Sequence, residues 1–418
     1  MLKKNMIRIV VICVAMIMIL SCFGCSMVSV NEDKRNSQVV ATANGTDITY
    51  SQYKVKFDQT LYSDYGYSTD QFEALDNEQK SKIREGILKE LVDRELEYQK
   101  AIEEGYALTD EQTEELRKQF KDEVDNLGPN YRSVLEMGGK YTDAEMDKMV
   151  EEYVTMQLGT DFDWDKSFEE VCKSEVVGNY EADLKSKVEV TEDEIKDYYN
   201  LNVENQKNML EPSEDGQQSS YGLLETFGSE VYVYPDDVRR IQHLLIGFDD
   251  ETRNRILAYR GTDDAEADKL RDEALAEVKD KADEAYAKVK AEKDMTAEKF
   301  AELMDEYGTD QSAVYGDNRL EGYIVHSYSS TNDFPQEFLD KALAMTEVGE
   351  VSDMFVSDYG YEILRLASFP DPVRPLDEMR DTIEDALRTQ KENQVLTEKR
   401  TELEEAANID YHYDRLAD

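Results

Sequence analysis

Few residues in this chain could do covalent or metal chemistry. The three histidines, His243, His326 and His412, lie far apart, and the four cysteines are Cys13, Cys22, Cys25 and Cys172. These spacings assemble no zinc or iron–sulfur ligand set, so neither a metal nor a cofactor is expected. The remaining candidates are noncovalent. In Ile241-Gln242-His243-Leu244-Leu245-Ile246, strand alternation puts His243 on one face with Ile241 and Leu245. In Gly360-Tyr361-Glu362-Ile363-Leu364-Arg365-Leu366 it puts Glu362 on a face with Leu364 and Leu366. A carboxylate on an apolar face is costly to bury unless it is paired. Phe334 and Phe338 stand four apart, at helical spacing. Each feature also has a plainer reading. A lone histidine on an apolar strand face is more often a hydrogen-bonded core residue than a catalyst, and two phenylalanines four apart are commonly core packing.

The elements that would hold these residues come in a definite order. A strand over Val238 to Phe248 precedes a long amphipathic helix, Asp263 to Lys293, and a second helix, Thr296 to Tyr307. Tyr307-Gly308-Thr309-Asp310 and a polar loop lead to Glu321-Gly322-Tyr323-Ile324. A helix containing Phe334 and Phe338 follows, then Val348-Gly349-Glu350-Val351-Ser352 and the Glu362 strand. This order resembles the parvulin type of peptidyl-prolyl cis/trans isomerase domain, a small four-stranded antiparallel sheet with surrounding helices. The resemblance implies His243, Asp310 and Glu362 as the catalytic set and Phe334, Phe338, Tyr323 and Leu245 as the substrate-binding wall, with a proline ring held between the two phenylalanines. One departure is sharp: the family's last strand usually reads Gly-x-His-Ile, and here Glu362 stands at the histidine. We therefore expect Glu362 to accept a hydrogen bond from His243 across the sheet in place of the usual histidine pair.

The flanks are helical. Capping boxes at Thr109-Asp110-Glu111-Gln112, Thr142-Asp143-Ala144-Glu145 and Thr191-Glu192-Asp193-Glu194 mark three helix starts. Apolar positions Ile83, Ile87, Leu88, Leu91, Val92 and Leu96 define a buried stripe on an earlier helix. Val39 to Thr49 reads as two short strands about Asn44-Gly45. The aromatic residues Tyr131, Tyr153, Phe162 and Trp164 are many for a bare scaffold and suggest a groove for client chains. These flanks resemble the helical chaperone domain of PrsA-like lipoprotein foldases and SurA-like chaperones, in which the C-terminal helix packs back on the N-terminal bundle. The expected fold is thus α+β. Residues 1–22 form a signal, 23–38 a tether and 39–200 the first part of a helical chaperone domain. Residues 201–235 form a linker, 236–370 an inserted parvulin-like domain and 371–418 a returning helix.

Composition narrows the partners. Among 418 residues the formal net charge is −46, a field that repels phosphate backbones and argues against nucleic acid. Lys3, Lys4 and Arg8 precede an apolar run from Ile9 to Leu20, which suits a signal peptide and is short for a membrane span. Met18-Ile19-Leu20-Ser21-Cys22 resembles a bacterial lipoprotein signal, with Cys22 lipidated and Cys25 as the alternative. The implied protein is anchored by lipid on the outer face of a bacterial membrane. It would bind unfolded or secreted polypeptides and isomerise their X-Pro bonds, with a homodimer left open. The rival is a holdase that keeps the parvulin fold only to bind clients.

Overall fold

The computed structural model describes residues 32–416 apart from 64, 67, 68, 140, 159–161, 212–220, 223, 225–227, 315, 317 and 332. The signal sequence, with Cys22 and Cys25, lies outside the described residues. The chain divides into two compact units, Val190–Leu387 and a discontinuous one made of Met1–Glu189 with Arg388–Asp418.

In the discontinuous unit, β1 (Val39–Ala43) and β2 (Thr46–Thr49) form a hairpin. Its turn takes positive φ at both Asn44 and Gly45, the backbone that the right-handed twist of a two-residue hairpin requires. The other edge of β1 pairs with β7 (Ile409–Tyr411), with Ala41 opposite Tyr411 and Ala43 opposite Ile409. Helix α1 (Tyr50–Ser63) and helix α2 (Asn77–Glu103) pack Tyr50, Tyr53, Ile83, Ile87 and Leu88 against this sheet. Helices α3 (Asp110–Gly138), α4 (Asp143–Leu158) and α5 (Trp164–Ser186) follow. The reciprocal capping bonds at Thr109 and Thr142 form as their sequences predict. The aromatic residues expected to line a groove pack largely on one another: Tyr131 stacks on Tyr153 at 4.1 Å, and Trp164 lies 4.7 Å from Phe120. The large apolar side chains left exposed nearby are Val134, Met137 and Tyr141, around the α3–α4 turn. Arg400 binds the buried Glu97 and also Glu181, both at 2.8 Å. It stands on α11 (Leu376–Ala406), whose residues from Arg388 onward belong to this unit.

In the contiguous unit, helix α6 runs over Glu192–Leu210, so residues 201–210 of the expected linker are helical, while residues 212–220 of it lie outside the described residues. Gln206 accepts from the amides of Tyr232 and Val233 and donates to the Glu230 carbonyl, so residues 230–233 are built into the fold. Tyr232 and Val233 then pack with Ile195, Met379 and Ile383. Val233 also makes an isolated antiparallel bridge to Val373.

The sheet of this unit is antiparallel throughout, in the order β4–β3–β6–β5, with β3 Arg239–Gly247, β4 Tyr323–Val325, β5 Phe355–Ser357 and β6 Gly360–Ser368. One face carries Leu244, Ile246 and Ile363 against α8 (Asp264–Ala291) and α9 (Ala297–Tyr307). A shorter helix, α7 (Asp250–Tyr259), precedes α8. The opposite face carries Ile241, Leu364 and Leu366 against Phe338, Leu339 and Ala342 of α10 (Gln336–Ala344). The sheet is covered on both sides, which is why both faces of β3 and β6 carry apolar residues. Gly360 has φ +147, and a Cβ there would sit 2.3 Å from the Ile246 carbonyl oxygen. Only glycine lets β6 start this close to β3.

Candidate active site

His243 and Glu362 both lie on the α10 face of the sheet, as alternation predicts. The register sets them two positions apart: His243 is opposite Leu364, and Glu362 is opposite Leu245. Glu362 therefore reaches His243 diagonally, with Oε2 3.2 Å from Nε2. This distance is within ion-pair range, but the contact lies off the N–H axis, and neither atom has a hydrogen-bond partner. The expected cross-sheet hydrogen bond is thus a close charge contact. Glu362 is 1% exposed.

Asp310 holds the other ring nitrogen. Its Oδ2 lies 3.0 Å from His243 Nδ1 and accepts the Tyr323 hydroxyl at 2.9 Å. Its Oδ1 accepts the amides of Ser312 and Ala313, which start a short helix over Gln311–Val314. Thr309 fastens this loop to β3. Its amide donates to the Leu245 carbonyl at 2.9 Å, and its hydroxyl oxygen accepts the Gly247 amide at 2.9 Å. A side chain at Gly247 would meet Thr309 Oγ1 at 2.7 Å, so this close approach needs glycine.

The charges follow from this geometry. Burial pushes the His243 imidazole toward its neutral form, but Asp310 and Glu362 together outweigh it and raise the pKa to about 9. At neutral pH this favours the imidazolium form of the ring. Burial likewise opposes ionisation of Asp310, yet contacts from His243, Tyr323 and the Ala313 amide hold it below the usual carboxylate range. The Tyr323 phenol is raised by burial and by the charge of Asp310, so it stays a donor.

The apolar wall differs from expectation. Phe334 and Phe338 stack on each other at 4.9 Å with planes 13° apart, and no slot for a proline ring lies between them. Phe338 is fully buried and meets His243 edge-on at 5.1 Å, so it backs the imidazole. Phe334 is only partly buried and lies edge-on to Tyr323 at 5.5 Å, which leaves Phe334 and Tyr323 as the rings able to receive a ligand. Leu245 is partly buried on the same face. Sequence reasoning places Tyr323 in the binding wall but gives no sign of its hydroxyl bond to Asp310. Asp310-Gln311-Ser312-Ala313 is a recognisable helix-start sequence and is the available signal for the amide bonds.

Comparison with known proteins fits this layout. Residues 2–125 match the SurA-like N-terminal domain, and residues 262–381 match the PPIC-type PPIASE domain. The chain carries a parvulin-type isomerase domain and a SurA-like domain. The parvulin match starts after β3, so His243 falls outside it, and the β3–β6 pairing is what brings this histidine to Glu362. The foldase protein PrsA of Caldanaerobacter subterraneus is 29% identical over 225 residues, 54% of this chain and 63% of that protein. The chain thus matches less than two thirds of that relative's length. Among solved structures, a SurA-like chaperone of Campylobacter jejuni is 15% identical, covering 90% of this chain and all of that one, with a TM-score of 0.25. PrsA of Bacillus cereus is 18% identical, covering 91% and 96% of the two chains, with a TM-score of 0.19.

Proposed function

We propose that this protein is an extracytoplasmic peptidyl-prolyl cis/trans isomerase and chaperone that assists the folding of secreted polypeptides. The observation that carries the reading is the His243 imidazolium, fixed by Asp310 and Glu362 beside the Tyr323–Phe334 wall. Rotation about an X-Pro bond is slow because amide resonance must be broken, at a barrier of about 18–20 kcal/mol. The half-rotated state has lost that resonance, so its nitrogen becomes a better hydrogen-bond acceptor and its carbonyl is less dipolar than in the planar ground state. The His243 imidazolium, buried behind this wall, can stabilise the lone pair that develops on that nitrogen through its field. The apolar wall strips water from the carbonyl and so disfavours the planar form. Asp310 and Tyr323 keep the ring charged and oriented. No covalent step is needed.

A second reading, a holdase that uses this fold only to bind clients, is favoured by the stacked phenylalanines and by the carboxylate at the position of the family's second histidine. Isomerisation of a proline peptide by wild type and by His243→Ala separates the two. The enzyme reading expects His243→Ala to fall to background, whereas background rates in both proteins would leave the holdase.

The anchored location rests on the sequence alone. Lipidation at Cys22, or at Cys25, would tether the chain to the outer face of the membrane. Cys22→Ser is expected to release the protein from the membrane fraction, and retention would turn attention to Cys25.

A further inference from the structure

The shortest strands of the sheet stand at its edges, and β5 is the one beside Glu362. It has three residues and, among the described residues, pairs only with β6. Phe355 stands opposite Glu362 on the α10 face, so one row across the sheet reads Leu245, Glu362, Phe355. Leu245 and Phe355 are partly buried, and Glu362 between them is 1% exposed. The seclusion that makes its charge felt at His243 therefore depends on β5 staying in place. The ladder to β3 holds β6 independently, whereas β5 needs support from elsewhere.

The segment spanning α7 and α8 holds both ends of this strand. Before it, the Tyr286 hydroxyl and the Lys290 ammonium donate to Asp353 at 2.7 and 2.8 Å. Asp353 and Lys290 are both exposed, so this pair contributes little. After it, Arg260, which caps the end of α7, grips Asp358 with two arms of its guanidinium, Nε to Oδ2 at 2.8 Å and Nη2 to Oδ1. Its Nη1 donates to Asp268 of α8 at 3.0 Å. Arg260 and Asp358 are both partly buried, and a two-pronged contact fixes direction as well as distance. In the turn itself, the Tyr359 amide donates to the Ser357 hydroxyl oxygen and the Tyr359 carbonyl accepts the Phe248 amide at 3.1 Å. Of the two anchors, Arg260 is the one able to set where β5 lies.

We infer that Arg260 is a positioning residue of this site: by clamping Asp358 it seats β5 beside Glu362 and keeps that carboxylate secluded next to His243. It acts through β5, at the edge of the sheet opposite the β4 strand that carries Tyr323. Its part in the reaction rests on the isomerase reading above.

The test titrates His243 by nitrogen NMR in the full chain and measures proline-peptide kinetics beside it. The ring is faced by Asp310 at one nitrogen and Glu362 at the other, with Tyr323 and Phe338 around it, and of these Glu362 is the one in register with β5. Burial opposes the charge on the ring and the two carboxylates outweigh it, so loosening β5 should move the midpoint from about 9 toward 6.5. In Arg260→Ala a fall of roughly one pH unit is expected. At that size kcat drops about threefold at pH 8.5 and hardly changes at pH 6.5, while KM, set at Tyr323 and Phe334, stays within about twofold. Arg260→Lys keeps the charge but loses the two-pronged contact and should fall in between, whereas Lys290→Ala should match wild type.

A folded Arg260→Ala with the wild-type midpoint would overturn the role, whatever its stability. An equal fall in Lys290→Ala would assign the effect to the whole segment and overturn the special place of Arg260. A wild type without isomerase activity would overturn the isomerase reading and Arg260's part in the reaction, while the midpoint still decides whether Arg260 keeps Glu362 in place. If Arg260→Ala does not fold, the nearly isosteric Asp358→Asn gives the same comparison. Failure of both to fold would make the clamp a requirement of folding and overturn a specific role at the site.

Discussion

Nε2 of His243 lies 3.2 Å from Oε2 of Glu362, although the backbone of Glu362 is paired with Leu245 and that of His243 with Leu364. The diagonal offset explains the geometry of the contact. A residue directly opposite would meet the ring from across the strand pair, whereas Glu362 approaches from the neighbouring step and stays off the N–H axis. The ring is held by charge at this nitrogen and by hydrogen bonding at the other.

The first prediction concerns pH. The folded pKa of His243, about 9, lies above its ordinary value of 6.5. The stability contributed by its charge is therefore fully present below about 6.5 and is lost as pH rises through about 9. Isomerase activity that uses the imidazolium should be flat through neutrality and fall near pH 9. Titrating the ring by nitrogen NMR checks the midpoint, and Glu362→Gln should move it to lower pH. A midpoint near 6.5 in wild type would refute the charged-ring reading.

The two phenylalanines should separate by phenotype. Phe338 is fully buried between the sheet and the imidazole, so Phe338→Ala should destabilise the fold by about 3–5 kcal/mol. Phe334 is partly exposed, so Phe334→Ala should cost less stability and act mainly through a raised KM. Urea denaturation combined with peptide kinetics distinguishes these outcomes. Equal stability losses would show that the stacked pair acts as one core unit.

Gly360→Ala should disrupt the start of β6. The new Cβ would be 2.3 Å from a backbone oxygen that cannot move aside, at a φ that L-residues rarely adopt. A loss of about 2 kcal/mol or more is expected, together with loss of isomerase activity, since Glu362 lies two residues on. A thermal midpoint equal to wild type would count against so close an approach of the two strands.

Arg400→Ala should destabilise the discontinuous unit, because it strands the buried Glu97 without its partner. Arg400 is itself partly exposed, which reduces the effect to about 2 kcal/mol, below the roughly 3–5 kcal/mol of a fully buried pair. Replacing both residues by Leu should recover much of the loss. A double variant as unstable as Arg400→Ala would argue that packing, not the unpaired charge, sets the cost.

How far the sequence could be read depended on the range of the interaction. The strands bearing His243 and Glu362, the Asn44-Gly45 turn and the capped helices are signalled by local periodicity and turn chemistry, and they form where that pattern puts them. The face carrying His243 and Glu362 was legible because alternation is local. Their diagonal register was not, since it depends on how β6 starts at Gly360. The stacking of Phe334 on Phe338 was also hidden, because spacing four apart is shared by rings that line a slot and rings that close one. Residues 201–210 continue α6, where Gln206 acts as a buried bracket for Tyr232 and Val233, a role that composition does not disclose.

The pairing of β1 with β7 has a consequence for assembly. More than three hundred and sixty residues separate Ala43 from Ile409, so the small N-terminal hairpin keeps one bare edge until the far strand has been synthesised. The intervening Val190–Leu387 portion, whose sheet uses only its own residues, has no such wait. This unit can therefore mature while the unit around the hairpin is still incomplete. A truncation before Ile409 should leave a folded Val190–Leu387 unit attached to a sticky, unfinished sheet.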